Sequence, residues 1–183
     1  MIKRRSKLII ITIIFVALIS AIINSMPDKS TDMSKLIEKT LSKQYKDKTK
    51  IGIFDTYEVL DYKIAGFIEV GSDKCGFSVL KQDINSRFEL ISVNRFDRLM
   101  KRALDTYIQY IDLKDEKYEL GFERYLVILS MNPELSRIKM TVDDGKPIYK
   151  EIKSTPSLTV LKYPIEATNA EYLFYDKAGK LLR

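Results

Sequence analysis

The chain has 183 residues, 45% apolar and 31% charged, with a formal charge of +6, one cysteine, no histidine and no tryptophan. That length suits one modest domain, or two small ones, behind a short leader. Without histidine the commonest general base and the commonest neutral metal ligand are missing, and a single cysteine removes internal disulfides and thiolate metal clusters. Neither a cofactor nor a metal site is expected.

Residues 1–26 read MIKRRSKLIIITIIFVALISAIINSM, in which Lys3, Arg4, Arg5 and Lys7 precede an apolar run from Leu8 to Ile23 broken only by Thr12 and Ser20. A helix from Leu8 to Met26, rising about 1.5 Å per residue, spans roughly 28 Å, close to the ~30 Å hydrocarbon thickness of a bilayer. A signal anchor crossing the membrane once, near residues 8–26, is therefore expected. The competing reading, a cleaved signal peptide, needs a small-x-small site. Ala17, Ser20, Ala21 and Ser25 include no pair two residues apart. Cations before the span and none directly after it put the N-terminus in the cytoplasm and everything from about residue 28 outside. Setting aside the leader's four cations leaves 27 basic against 25 acidic residues, so the exported part carries only +2. Nucleic acid is not an expected partner.

Beyond Pro27, the residues Ser30, Thr31 and Asp32 are N-cap candidates for a helix over 32–46. Met33, Ile37, Leu41 and Tyr45, with Leu36 alongside, form its apolar stripe, and Lys35, Glu38, Lys39, Lys43 and Lys46 take the other side. From Ile51 the pattern changes to short β-rich runs, read as strands at 54–62, 63–70, 75–81 and 87–93. The turns at 71–74 and 83–86 suit tight hairpins, so these strands form an antiparallel meander. Between Arg95 and Leu113 helix and strand compete. The reading here is a short helix at 96–104 followed by a strand at 106–112, then an acidic loop over 114–123. Strands at 124–131, 137–143, 148–153, 158–163 and 171–175 complete a second meander, with Asp144-Gly145 as the positive-φ pair of one hairpin. The fold class expected is α+β: a transmembrane helix, an amphipathic helix, and two antiparallel meanders separated by a short helix. The segments are 1–27, 28–95 and 96–183, the last two forming separate units or one compact domain over 28–183.

The basic leader, the stretch YLVILSMNPELSRIKMTV and the closing EYLFYDKAGKLL resemble small single-pass envelope proteins of low-GC Gram-positive bacteria. That resemblance implies an envelope location and carries over no catalytic residue.

The candidate chemistry is thin. Cys75 between Lys74 and Gly76 has no histidine to activate it and reads as a small hydrophobe at a strand start. Ser136 and Lys139 match S-x-x-K, but that geometry needs a helix, and on a strand positions three apart face opposite ways. Asp112, Asp115, Glu116, Glu119 and Glu123 form an acidic stretch, and Asp143-Asp144 a second pair, which together supply the alternative reading of a carboxylate-based envelope hydrolase. Arg95, Arg98, Lys101 and Arg102 share one flank of the expected short helix, opposite Phe96, Leu99, Met100 and Ala103. This flank is the candidate partner site, suited to an envelope protein or to an anionic wall or lipid surface. The favoured function is a non-catalytic, membrane-anchored binding or assembly module.

Overall fold

The computed structural model describes residues 29–97, 104–115 and 121–182. The expected span at 8–26 lies outside them. Among the described residues no helix is long and apolar enough to cross a membrane. A two-residue strand, β1 (Lys29–Ser30), leads into the helix α1 (Met33–Tyr45). Asp32 caps that helix by accepting the Lys35 N–H at 3.2 Å, and Lys46, at φ 59°, ends it by donating its N–H to the Ser42 carbonyl. Leu36, Ile37 and Leu41 form its buried face, in agreement with the apolar stripe.

Four strands follow as an antiparallel meander: β2 (Ile51–Val59), β3 (Tyr62–Glu69), β4 (Lys74–Gln82) and β5 (Phe88–Asp97). With β1 on the outside of β5 they make a five-stranded sheet. Period-two alternation divides its side chains between two covers. Ala65, Phe67 and Leu80 lie under α1, whereas Ile64, Cys75, Phe77 and Val79 face a second sheet.

The remaining strands are β6 (Thr106–Lys114), β7 (Phe122–Ser130), β8 (Arg137–Val142), β9 (Ile148–Glu151), β10 (Ser157–Tyr163), β11 (Ala170–Tyr175) and β12 (Leu181–Leu182). They do not form one meander. The second sheet has the order β10-β7-β6 and a third has β12-β11-β8-β9. The chain leaves the second sheet after β7, builds the β8–β9 hairpin, and returns as β10. The reason lies in β7. Tyr125, Val127 and Leu129 join the core against the first sheet, while Leu126 and Ile128 join a second core with Ile138, Met140 and Phe174 of the third sheet. A strand apolar on both faces needs a layer on each side. The result is four layers: α1, then three sheets.

The expected α+β class is thus corrected to a mainly β fold of sandwiched sheets, since 57% of the described residues are strand and only 9% helix. The short helix expected at 96–104 does not begin there. Phe96 and Asp97 continue β5, paired with Cys75 and Lys74, and residues 98–103 lie outside the described part. The period of two wins because Phe96 fills the sandwich side and stacks on Tyr107, with centroids 4.7 Å apart. At the β8–β9 turn it is Asp143, at φ 47°, that takes the left-handed conformation, rather than the Asp144-Gly145 pair.

Candidate functional site

Of the four cations expected on one helical flank, the structure describes Arg95 alone; Arg98, Lys101 and Arg102 lie outside the described residues. Arg95 sits on β5, on the face covered by α1, directly across from Gly76 of β4. A Cβ at Gly76 would lie 2.5 Å from the Phe67 ring and 2.1 Å from the Asn94 carbonyl oxygen. With no side chain there, the Arg95 guanidinium reaches over β4 to Glu69 at the end of β3. Nε and Nη2 donate to the two Glu69 oxygens at 2.5 and 2.8 Å. Both side chains are almost fully enclosed, Arg95 at 7% exposure and Glu69 at 5%. Asp47 accepts a third bond at 3.4 Å, the Tyr45 ring lies 4.1 Å below the guanidinium carbon, and Ser72 Oγ donates to Glu69. The hydrogen-bonded Glu69 carboxylate raises the Arg95 pKa above its ordinary value, so the cation is permanent. This arrangement clamps the end of α1 onto the sheet. It offers no free charge to a partner.

Three of the carboxylates singled out in the sequence, Asp112, Glu123 and Asp143, are engaged in the same way. Asp112 and Arg124 are opposite each other on β6 and β7 and form a two-pronged ion pair at 2.7 and 2.9 Å, which holds the Asp112 carboxyl below its usual range. Glu123 accepts from Lys162 and from the Tyr125 hydroxyl; the Lys162 bond is the main cause of its lowered pKa, and burial pushes the Tyr125 phenol up. Asp143 accepts from the Thr168 hydroxyl and from the N–H groups of Thr168 and Asn169, tying the β8–β9 turn to the start of β11 and lowering its own pKa. Glu116 and Glu119 lie outside the described residues. Ser136 Oγ donates to the Tyr175 carbonyl at 3.2 Å, and Cys75 is fully buried in the sandwich core. Among the described residues, Asp112, Glu123, Asp143, Ser136 and Cys75 form no pair flanking an open cleft.

Shallow grooves mark the described surface. One, of about 500 Å³, runs between α1 and residues 48–50 and is lined by Lys35, Lys39, Lys48 and Lys50 together with Glu38, Ser42, Thr49 and Val70. A second, of about 450 Å³, separates α1 from β5 at Leu90–Val93, and a third, of about 360 Å³, separates β2 from the segment 150–154. The groove was missed by sequence reasoning, which took Lys35 and Lys39 as part of the polar side of a helix and assigned nothing to Lys48 and Lys50. Its signal is present all the same: lysines four apart on α1, then the alternating KDKTK of residues 46–50. Comparison with family models, with curated proteins and with solved structures gives no match.

Proposed function

We propose that this chain is a non-catalytic module of the bacterial cell envelope, tethered to the membrane by its apolar N-terminal segment, that binds a partner outside the cytoplasm. The observation that supports this reading most is the position of the folded domain. Lys29 and Ser30 pair with Glu89 and Phe88, so the first sheet includes residues only three and four positions after Met26, the end of the cation-led apolar segment. Such a tether raises the domain's effective concentration for anything else at that membrane.

A surface for the partner is supplied by β9, the outer strand of the third sheet, whose residues are exposed and include Ile148 at 48% and Tyr149 at 57%. An open edge bearing apolar side chains is a template for another strand. Arg95 leaves the candidate partner site because its charge is spent inside the fold.

Two measurements in living cells test the proposal. A reporter active only outside the cytoplasm should work when fused after Arg183, and a photoreactive side chain at Tyr149 should capture an envelope component that one at Asn85 does not. A cytoplasm-only reporter that works in the same fusion overturns the topology. Equal capture from the two positions removes β9 from the binding surface.

A further inference from the structure

The strand β6 is an edge without the protection that the other edges have. β1 and β12 are two residues long, β9 has four behind Pro147, β2 is bulged at Phe54, and β10 lies against β2. β6 runs nine residues in unbroken register with β7, its only strand neighbour among the described residues. A long edge with neither bulge nor proline is a template for pairing. Bonds at both ends of the β6–β7 ladder fix which backbone groups are left over: Met131 donates its N–H to the Asp105 carbonyl and Asp115 its N–H to that of Gly121, each at 2.9 Å. Positions bonded to one neighbour alternate along an antiparallel strand, so the odd-numbered residues face β7. Thr106, Ile108, Tyr110, Asp112 and Lys114 turn their N–H and C=O groups outward. The side chains beside this edge are Ile108 and Tyr110, 40% and 44% exposed, and Tyr107 and Ile111, which pack on the sandwich core. Asn94 of β5 accepts from the Gln109 amide at 3.2 Å and Tyr172 of β11 bonds the Tyr110 hydroxyl, so the edge is set before a partner arrives.

We infer that β6 pairs antiparallel with β6 of a second copy of this chain, about a two-fold axis at Gln109. Outward residues must meet outward residues, so the axis passes through a residue and not between two. Placed at Gln109, it sets Tyr107 against Ile111 and Ile108 against Tyr110 of the other copy, each twice by symmetry, with Thr106 against Asp112. Aromatic against β-branched is a favoured cross-strand pair, and no like charges face each other. Neighbouring registers lose this match. An axis at Ile108 puts Tyr110 opposite Thr106 and Ile111 opposite Asp105, and one at Tyr110 puts Ile108 opposite Asp112. It is this fit of TYIQYID to itself, at one register, that favours a second copy over an unrelated strand. The second sheet then runs on across the axis into its symmetry mate. The inference goes beyond the tethered reading and depends neither on the membrane nor on β9.

The full chain in detergent is oxidised with copper phenanthroline, blocked with N-ethylmaleimide and run on non-reducing gels. Gln109→Cys should become a covalent dimer, because its two Cα atoms lie about 4.5 Å apart across the axis, within disulfide range. Ile108→Cys and Tyr110→Cys, each roughly 8 Å from its own copy, should cross-link at least about fivefold less alone, yet join each other when co-expressed. Cys75 is fully buried, and the unaltered chain should give no covalent dimer. Light scattering should report twice the monomer mass for the unaltered chain. Ile108→Pro removes one outward N–H, leaves the β7 ladder intact, and should return the mass to that of a monomer with an unchanged circular dichroism spectrum. Ile108→Lys, which keeps the backbone amide and places a charge on the edge, should do the same. A monomeric chain with no dimer from Gln109→Cys overturns the inference, as do equal cross-linking at 108, 109 and 110, a dimer that survives both Ile108 variants, or a Gln109→Cys product with a different protein. Tyr149→Cys in the same assay tests the other open edge. A dimer trapped there and not at Gln109 overturns the inference and leaves β9 as the binding surface.

Discussion

Removing one partner of the Arg95–Glu69 pair leaves the other charge enclosed without compensation, which is where ion pairs weigh most. Arg95→Met is expected to lower stability by about 3 kcal/mol in urea unfolding, and Glu69→Leu/Arg95→Met to be less damaging than the single changes add up to. A charge reversal at Arg95 accordingly reads out folding rather than binding. Asp83 gives a pH signature. Its carboxylate accepts the N–H groups of Arg87 and Asn85 at the β4–β5 turn, and these bonds, Arg87's first, hold its pKa down to about 2. An unfolded aspartate titrates near 3.9, so the folded state binds the proton more weakly, and the contribution is complete above about pH 5 and lost as pH falls through about 2. Asp83→Asn should therefore flatten the fall of Tm with pH in that acid window while lowering Tm at neutrality. The turn at 83–86 was legible because Asp, Asn and Ser are turn formers. The fate of Arg95 was not, since a cation in sequence carries no mark of the carboxylate it will meet 26 positions away.

Among the elements, α1 was readable from its Asp32 cap and four-residue stripe, both local signals. The β2–β3 hairpin was not placed correctly. Its two-residue turn is Leu60-Asp61, with Leu60 at φ 53°, and a leucine gives none of the glycine or asparagine warning such a conformation usually carries. At the start of the helix expected at 96–104 the error is the opposite one: Phe96 and Asp97 follow strand pairing although the apolar spacing is helical. Glycines on the central strands divide by what surrounds them. At Gly76 a methyl meets a backbone oxygen at 2.1 Å, which has nowhere to go, whereas at Gly66 it meets the ring of half-buried Phe54 at 2.6 Å. Gly76→Ala is expected to cost about 3 kcal/mol and Gly66→Ala about 1 kcal/mol, measured as denaturation midpoints at constant m-value. The edge strand β2 carries a bulge at Phe54, and β5, which β1 pairs at Phe88 and Glu89, carries one at Ile91, a device that discourages edge-to-edge association.

For the molecule as a whole, β7 is the shared wall of two cores. Its amides from Leu126 to Leu129 should exchange with deuterium only through global unfolding, more slowly than those of β9, whose four residues are all exposed. That a strand lies over β7 was legible, since 124–131 was read as one, and the unbroken apolar run YLVIL is what fills both of its faces. That its second neighbour would be β10 was not, because pairing over such a distance leaves no local trace in composition or spacing. The same arrangement bears on how the chain is made. Synthesis delivers β7 while β10, which begins at Ser157, is still to come, with the whole β8–β9 hairpin in between. During that interval Tyr125–Ser130 is an uncharged, β-prone segment with an open edge, the composition that seeds cross-chain stacking. Chains that stop short of Ser157 should sediment as aggregates in a centrifugation assay. Soluble accumulation of such chains would show that β10 is dispensable for covering β7. The arrival of β10 therefore sets a deadline for biogenesis, and the charged residues bordering the run, Glu123 and Arg124, stand where gatekeepers are needed until it is met.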